Sequence, residues 1–200
     1  MHGLFAGGMD MPDNPEIKRA LSQGMKSLMS EMRFDDITVA DICRVSAVSR
    51  RSFYRYFQDK YALLNFVHYD DYCRFFDEKK TSHAWELFPS ACAHLYENRK
   101  FYLNAFDVTG PGAFREFCIE RLRVYLERDF GAACKTESER EFYITRVLNA
   151  LFDALQIWLR SEPCMPPEEF VEHTMRSVSR FSALFAANTI MIANQMGIQD

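Results

Sequence analysis

Residues 37–64 read ITVADICRVSAVSRRSFYRYFQDKYALL, and this stretch decides the fold. Thr38 stands three residues before Asp41, which is close to the spacing of a capping box at a helix start. Ser49 and Asp59 are N-cap residues of the same kind, and each precedes a further helical segment. The helices predicted from these signals are 39–45, 50–56 and one that begins at Lys60.

The two short predicted helices, joined by Ser46-Ala47-Val48, match a helix-turn-helix. Apolar residues at helical spacing provide its inner side: Ile37, Val39, Ile42, Val45, Val48, Phe53 and Phe57. In such a unit the amino end of the second helix enters the major groove of DNA. The pattern therefore predicts DNA binding, with residues 49–57 in the groove.

Side chains that suit this task lie around the second short helix. Arg50 and Arg51 can form paired hydrogen bonds to guanine edges or bind phosphates, and Ser52 can donate or accept. Hydroxyl and ammonium groups nearby suit phosphate oxygens. The predicted DNA-binding residues are Thr38, Ser49, Arg50, Arg51, Ser52, Tyr54, Tyr56 and Lys60.

The distribution of charge supports this prediction, although the total does not. The 200-residue chain has a net charge of −4, which by itself argues mildly against a nucleic-acid partner. Residues 14–60 hold nine basic and six acidic residues and so carry +3, which leaves −7 for the remainder. A basic cluster alone is more often a solvated helix face, but here it coincides with the caps and the turn.

The same residues resemble the TetR family of bacterial transcription regulators. The matching pairs are Thr38-Val39, Asp41-Ile42, Val48-Ser49, Phe53-Tyr54, Tyr56-Phe57 and Asp59-Lys60, within a resemblance over residues 17–64. With Phe34-Asp35, they look most like the branch that includes regulators of dihydroxyacetone kinase operons. The resemblance implies that Thr38, Tyr54, Tyr56 and Lys60 hold phosphates while Arg50, Arg51 and Ser52 face bases. Ala47 departs from the glycine usual in the turn, and a left-handed alanine costs roughly 1 kcal/mol.

Helical periodicity continues along the rest of the chain, so we predict an all-α fold with an N-terminal three-helix head and a larger C-terminal helical body. The other predicted helices are 14–33, 60–79, 81–98, 100–106, 113–130, 137–160 and 166–195. We assign residues 1–13 to a flexible tail, 14–60 to the DNA-binding domain and 61–200 to the regulatory and dimerisation domain.

The last two predicted helices carry long apolar stripes. These residues are Leu148, Leu151, Phe152, Leu155 and Leu159 on the first, and Val171, Met175, Val178, Phe181, Leu184 and Phe185 on the second. One interpretation is a homodimer in which both helices pair with their twins as a four-helix bundle. The alternative is that the stripes are core within one chain.

The predicted body is rich in aromatic residues, which suit an apolar effector pocket with few polar groups. The candidate pocket residues are Trp85, Phe101, Tyr102, Phe106, Phe117 and Tyr143. For any single one of them, a place in the ordinary core is the competing interpretation.

No arrangement of residues predicts catalysis, a metal site or a cofactor. His68 with Asp71, and Cys92 with His94, each offer too few ligands at a recognised spacing. We expect no targeting or membrane segment, and we expect the six scattered cysteines to be reduced thiols in the cytoplasm.

These observations predict a cytoplasmic, homodimeric regulator that is not an enzyme. It would act as a repressor on a palindromic double-stranded operator, with affinity altered by a small-molecule effector. The alternative is a co-regulator of the same fold that acts through protein contact, with little or no DNA binding.

Overall fold

The computed structural model describes residues 14–73, 83–110, 113–130 and 134–180. All regular secondary structure in these segments is helical, which confirms the predicted fold class. The helices are α1 (Pro15–Met29), α2 (Val39–Val45), α3 (Arg50–Tyr56), α4 (Lys60–His68), α5 (Ala84–Glu97), α6 (Arg99–Ala105), α7 (Phe114–Phe130), α8 (Glu137–Arg160) and α9 (167–180). A 3-10 turn (Phe34–Asp36) precedes α2, and a π-helical turn (Tyr69–Cys73) continues α4.

Helices α2 and α3 begin and end at the predicted residues because their capping groups work as the sequence indicates. The Asp41 N–H donates to the Thr38 hydroxyl at 3.2 Å, and the Thr38 N–H donates to the Asp41 carboxylate at 3.2 Å. The predicted capping box is therefore present. Ser49 caps α3 by accepting from the Ser52 N–H at 3.1 Å.

Helix α1 is shorter than predicted, and the predicted end of α4 cannot be compared with the described residues. Helix α1 ends at Met29, four residues before the predicted end, and Ser30 forms its C-cap, with the hydroxyl and N–H both donating to the Lys26 carbonyl, at 2.8 and 3.0 Å. The chain then turns so that Phe34 can be buried. Helix α4 is α-helical only to His68, and the predicted continuation over 74–79 lies outside the described residues.

The head and the body share one apolar core. Helix α1 packs on α2 within the head, and also on α4 and α6 of the body. The side chain of Asn104 in α6 donates to the Met29 carbonyl at the end of α1, at 2.5 Å. Lys26 of α1 forms an ion pair with Asp71 in the π-helical turn. The apolar packing therefore continues across the start of α4, where the sequence predicts the domain boundary.

His68 lies in the part of this core where α4 meets the body. The side chain is 1% exposed, and its ring lies 4.8 Å from the ring of Phe114, measured between centroids. Burial lowers the pKa of His68 to about 3, so the imidazole is neutral at physiological pH. Among the described residues, no group of three or more His, Cys, Asp or Glu side chains could hold a metal ion.

Burial of the α8 stripe favours the alternative for its residues, while pairing of the last two helices between two chains stays a prediction. Leu148, Phe152, Leu155 and Leu159 are each at most 3% exposed and form part of the core of their own chain. Helix α8 has this central position because α7 packs along it, with Arg115 bonded to Asn149 and Asp153. On α9, Met175 and Val178 are exposed, while the predicted stripe residues Phe181, Leu184 and Phe185 lie outside the described residues.

Candidate nucleic-acid interface

The turn between α2 and α3 is closed by backbone hydrogen bonds. The Val48 N–H donates to the Cys43 carbonyl at 3.0 Å, and the Ala47 N–H donates to the Arg44 carbonyl at 3.4 Å. This is the Schellman arrangement, which requires a left-handed residue directly after the cap. Ala47 has φ of +53°, which confirms the predicted strain at this position.

We expect Ala47→Gly to stabilise the chain by about 0.5–1 kcal/mol. Glycine removes the left-handed penalty, and its greater freedom in the unfolded chain offsets only part of that gain. Chemical denaturation should show a higher midpoint with an unchanged slope. The control is Ala150→Gly, at an exposed position within α8, which should lose about 1 kcal/mol. A lower midpoint for Ala47→Gly would contradict the interpretation.

The amino end of α3 presents two arginines to solvent. Phe53 is fully buried and orients the helix, so that Arg50, Arg51 and Tyr54 lie on the outer side. Neither arginine forms an ion pair with any residue that the structure describes. Cations at the first positions of a helix oppose the helix dipole. These two arginines therefore do not stabilise the isolated chain, whereas they would bind an external polyanion.

The predicted hydroxyl groups occupy different environments. The Thr38 hydroxyl donates to the Asp41 carboxylate at 2.5 Å, so it would have to release this acceptor to bind a phosphate. Tyr54 is 56% exposed. Tyr56 is half-buried, with the Arg55 guanidinium 5.2 Å from its ring centroid. Ser49 donates to the Ser52 hydroxyl at 3.0 Å within the cap of α3.

Arg55 belongs to this surface, although the predicted set omits it. Together with Arg50, Arg51 and Tyr54 it covers one exposed arc of α3. The four-residue spacing between Arg51 and Arg55 could have indicated this, because residues i and i+4 share a helix face.

The phosphate contact of Lys60 stays a prediction, and without DNA its ammonium group is bonded within the chain. Its Nζ donates to the carbonyl oxygens of Phe34, Asp35 and Ile37 at 2.8, 3.1 and 2.9 Å. An ammonium group has three hydrogens to donate, and all three are engaged. The prediction followed from the position of Lys60 at a helix start, and it did not include the carbonyls of a loop 23 to 26 residues earlier.

The body contains an apolar cleft between α5, α7 and α8, of about 550 Å³ including its open mouth. Its lining is almost entirely hydrocarbon and consists of Trp85, Phe88, Ala91, Cys92, Leu95, Leu122, Leu126, Val147, Leu148, Leu151 and Leu155.

Of the six predicted pocket residues, Trp85 lines this cleft and the other five do not, and their part in binding an effector stays a prediction. Phe101 and Tyr102 are buried where α6 meets α4 and α7, and Phe106 and Phe117 pack against the same core. Tyr143 is 46% exposed. Aromatic residues were predicted as the lining, but most of it is aliphatic, and aliphatic spacing does not distinguish a cleft from a core.

No helix in the described part of the chain is long and apolar enough to cross a membrane.

Models of known protein families match both the N-terminal and the C-terminal part of the chain. A model of bacterial regulatory proteins of the tetR family matches residues 26–67, and a model of a transcriptional regulator C-terminal region matches residues 83–180. The HTH-type dhaKLM operon transcriptional activator DhaS of Lactococcus lactis is 28% identical over 93 residues, which are 46% of this chain. The match spans about half, 49%, of the length of that relative.

Solved structures share the fold at lower identity. The dihydroxyacetone kinase operon activator DhaS superposes with a TM-score of 0.63 at 17% identity, covering 84% of this chain and 97% of that one. NalD, the secondary repressor of the MexAB-OprM multidrug efflux pump in Pseudomonas aeruginosa, has a TM-score of 0.59 at 20% identity, covering 82% and 94%. With a helix-turn-helix in α2 and α3, an all-helical body and family matches over both, the chain belongs to the TetR family of transcriptional regulators.

Proposed function

We propose that this regulator acts in the cytoplasm as a homodimeric repressor that binds a palindromic operator through α3, and that an apolar small molecule in the cleft changes its affinity for DNA. The observation that carries the DNA-binding proposal is the exposed pair Arg50 and Arg51, which has no ion-pair partner among the described residues. Arginine at the amino end of a recognition helix suits guanine edges and phosphates.

The charge distribution orients the complex. Residues 14–60 carry +3 and the remainder carries −7, so the acidic body is repelled from the duplex while the head approaches it. Few cations are available for phosphate contacts. We therefore expect modest affinity with a shallow dependence on salt, because each neutralised phosphate adds only about 0.9 to the slope of log affinity against log salt.

A dimer brings two heads to two half-sites. The exposed apolar side chains Ile157 on α8 and Met175 and Val178 on α9 are the surface we propose for contact with a second copy, in place of the buried stripe on α8. Two heads related by a twofold axis would meet half-sites one or more helical turns apart.

The test is selection of duplexes from a random-sequence library by the full chain, followed by footprinting. We expect a palindromic site that binds two chains per duplex. Failure to enrich any sequence would contradict the proposal and favour the protein-contact co-regulator. A reporter promoter that overlaps the selected site should lose expression when the regulator is present. An increase in expression would contradict the assignment as a repressor and leave the DNA-binding proposal intact. The relative DhaS is named an activator.

The effector proposal specifies a neutral apolar ligand, because the lining offers almost no polar group to bind a charge. We expect the uncharged fluorescent probe N-phenyl-1-naphthylamine to bind the cleft and to weaken binding of the selected operator. Leu151→Trp, in the cleft wall, should weaken probe binding at least tenfold by filling the space. Ala150→Trp, exposed one residue earlier on α8, should leave it unchanged. Equal probe affinity in both variants would contradict binding at this cleft.

A further inference from the structure

Helix α9 is attached to the body by its first turns, as far as the structure describes it. Its half-buried residues are Pro167, Phe170, Val171 and Thr174, and the other described residues of α9 are exposed. The proposed contact surface for a second copy, with Met175 and Val178, is exposed beside this attachment. The orientation of that surface therefore depends on how the first turns of α9 are held.

Phe170 supplies the aromatic contacts of this attachment. Its ring is stacked on that of Trp158, with centroids 4.2 Å apart and planes 6° apart, and its centroid lies 6.3 Å from that of Phe88. Trp158 is itself held in place, because its indole N–H donates to the Met165 carbonyl at 2.8 Å, in the loop before α9. We name the rings of Phe88, Trp158 and Phe170 the α9 anchor.

The α9 anchor shares Phe88 with the apolar cleft. Phe88 lines the cleft together with Trp85, and the centroids of these two rings lie 5.7 Å apart in an edge-to-face arrangement. Phe88 is 7% exposed and also contacts Phe170. One side chain of α5 is therefore part of both the cleft wall and the attachment of α9.

An organic ligand in the cleft has to displace part of the wall. The volume of about 550 Å³ includes the open mouth, and most of the lining side chains are buried. Close-packed interiors hold little spare space, so the ligand needs room that side chains vacate. Leu148 and Leu155 are backed by the core of the body. Phe88 is backed by the half-buried Phe170, so this part of the wall yields at lower cost.

We propose that a ligand in the cleft loosens the α9 anchor by displacing Phe88 against Phe170, so that α9 carries the effector signal to the surface that contacts the second copy. This inference rests on the proposed function, because it needs an effector in the cleft and a second copy at α9. It names the route of regulation: the ligand changes how α9 meets the second copy, and thereby how the two heads are spaced. Coupling between two sites requires an element that both sites affect, and that element is the ring of Phe88.

Hydrogen exchange of the unchanged chain tests the route directly. Decanol, a neutral apolar alcohol, is the ligand, and displacement of N-phenyl-1-naphthylamine reports its binding. A bound ligand ordinarily slows exchange, because it stabilises the folded chain. We expect slower exchange in α7 and α8 but at least fivefold faster exchange in residues 171–180 of α9. Exchange in α9 that slows or stays unchanged while decanol is bound would overturn the proposal.

Two alanine variants test whether this route controls DNA binding. Phe170→Ala removes the ring that contacts Phe88 and Trp158, whereas the control Val171→Ala shortens the neighbouring half-buried side chain and leaves that ring in place. Phe170 and Val171 lie outside the cleft lining, so decanol should bind both variants within twofold of the unchanged chain. We expect saturating decanol to weaken binding of the selected operator at least tenfold in the unchanged chain and in Val171→Ala, but less than threefold in Phe170→Ala. A full response in Phe170→Ala would show that the signal bypasses α9.

Each negative result identifies which proposal fails. If decanol binds but leaves operator affinity of the unchanged chain as it was, the effector function fails, and exchange in α9 still decides whether the cleft and α9 are coupled. If Phe170→Ala fails to fold, the exchange measurement on the unchanged chain decides. If no apolar ligand binds the cleft, the effector function fails and the route through α9 fails with it.

Discussion

Replacing Arg50 and Arg51 together by alanine is expected to weaken operator binding by roughly 10²- to 10⁴-fold while leaving the fold intact. Each arginine that reads a base contributes about 1–3 kcal/mol, and the pair lies side by side at the amino end of α3. Neither side chain is buried or forms an ion pair with a described residue, so folding loses little. Fluorescence anisotropy of labelled operator, with thermal unfolding in parallel, measures both quantities.

A matched variant separates specific contact from net charge. Lys135→Ala with Arg146→Ala removes two exposed positive charges from the acidic body and should change operator affinity less than threefold. If the two double variants weaken binding equally, the arginines act only through long-range charge. If the variant lacking Arg50 and Arg51 binds the operator as tightly as the unchanged chain does, α3 is not the helix that recognises the operator.

Lys26→Met is expected to reduce the free energy of unfolding by about 3 kcal/mol at neutral pH. Lys26 pairs with Asp71 where the head meets the body, and the two side chains are only 24% and 17% exposed. Removing Lys26 leaves the buried carboxylate with the His94 ring nitrogen 3.8 Å away but without its lysine, and breaking a buried ion pair is among the costliest single changes in a protein. Urea denaturation measures the loss.

The dependence of this loss on pH has a definite sign. Burial raises the pKa of Asp71, but hydrogen bonds from His94 and Lys26 outweigh it, so the pKa lies below its usual value. The pair therefore stabilises the fold above the unfolded-state pKa of an aspartate, about 4, and this contribution is lost as pH falls through the lower folded-state pKa. The difference between Lys26→Met and the unchanged chain should shrink in acid, where Asp71 is protonated in both.

The double variant Lys26→Met with Asp71→Leu is the control for the ion pair. Removing both charges should recover most of the stability, because an apolar pair of similar volume is often as stable as a buried ion pair. A double variant as unstable as Lys26→Met alone would show that the loss comes from packing and not from the unpaired carboxylate.

Local sequence signals predicted the helix-turn-helix formed by α2 and α3 almost completely. Thr38 bonds to Asp41, and Ser49 bonds to Ser52, each three residues along the chain. Their spacing in the sequence is therefore enough to predict these hydrogen bonds. The strained Ala47 was predictable for the same reason, since a two-helix turn of this length requires a left-handed residue. Side chains that contact residues far along the chain were less predictable, and Lys60 is the clearest example.

The positions of the cleft and of the proposed dimer surface were also not predictable from local sequence signals. Leu148 and Leu155 line the cleft and Leu159 does not, although all three are buried on α8. Periodicity shows that a helix face is apolar. Whether that face meets a second helix, an open cleft or a second chain depends on the positions of α5 and α7, which no local pattern reports.

The amino-acid sequence by itself determined the helical fold, the helix-turn-helix over α2 and α3, and the basic amino end of α3. These depend on backbone hydrogen bonds and side-chain spacing within a few residues. Only the tertiary structure decided that Lys60 binds loop carbonyls, that the α8 stripe is core, and that the cleft lies beside Trp85. Each of these depends on which distant side chains compete for the same donor or the same apolar surface.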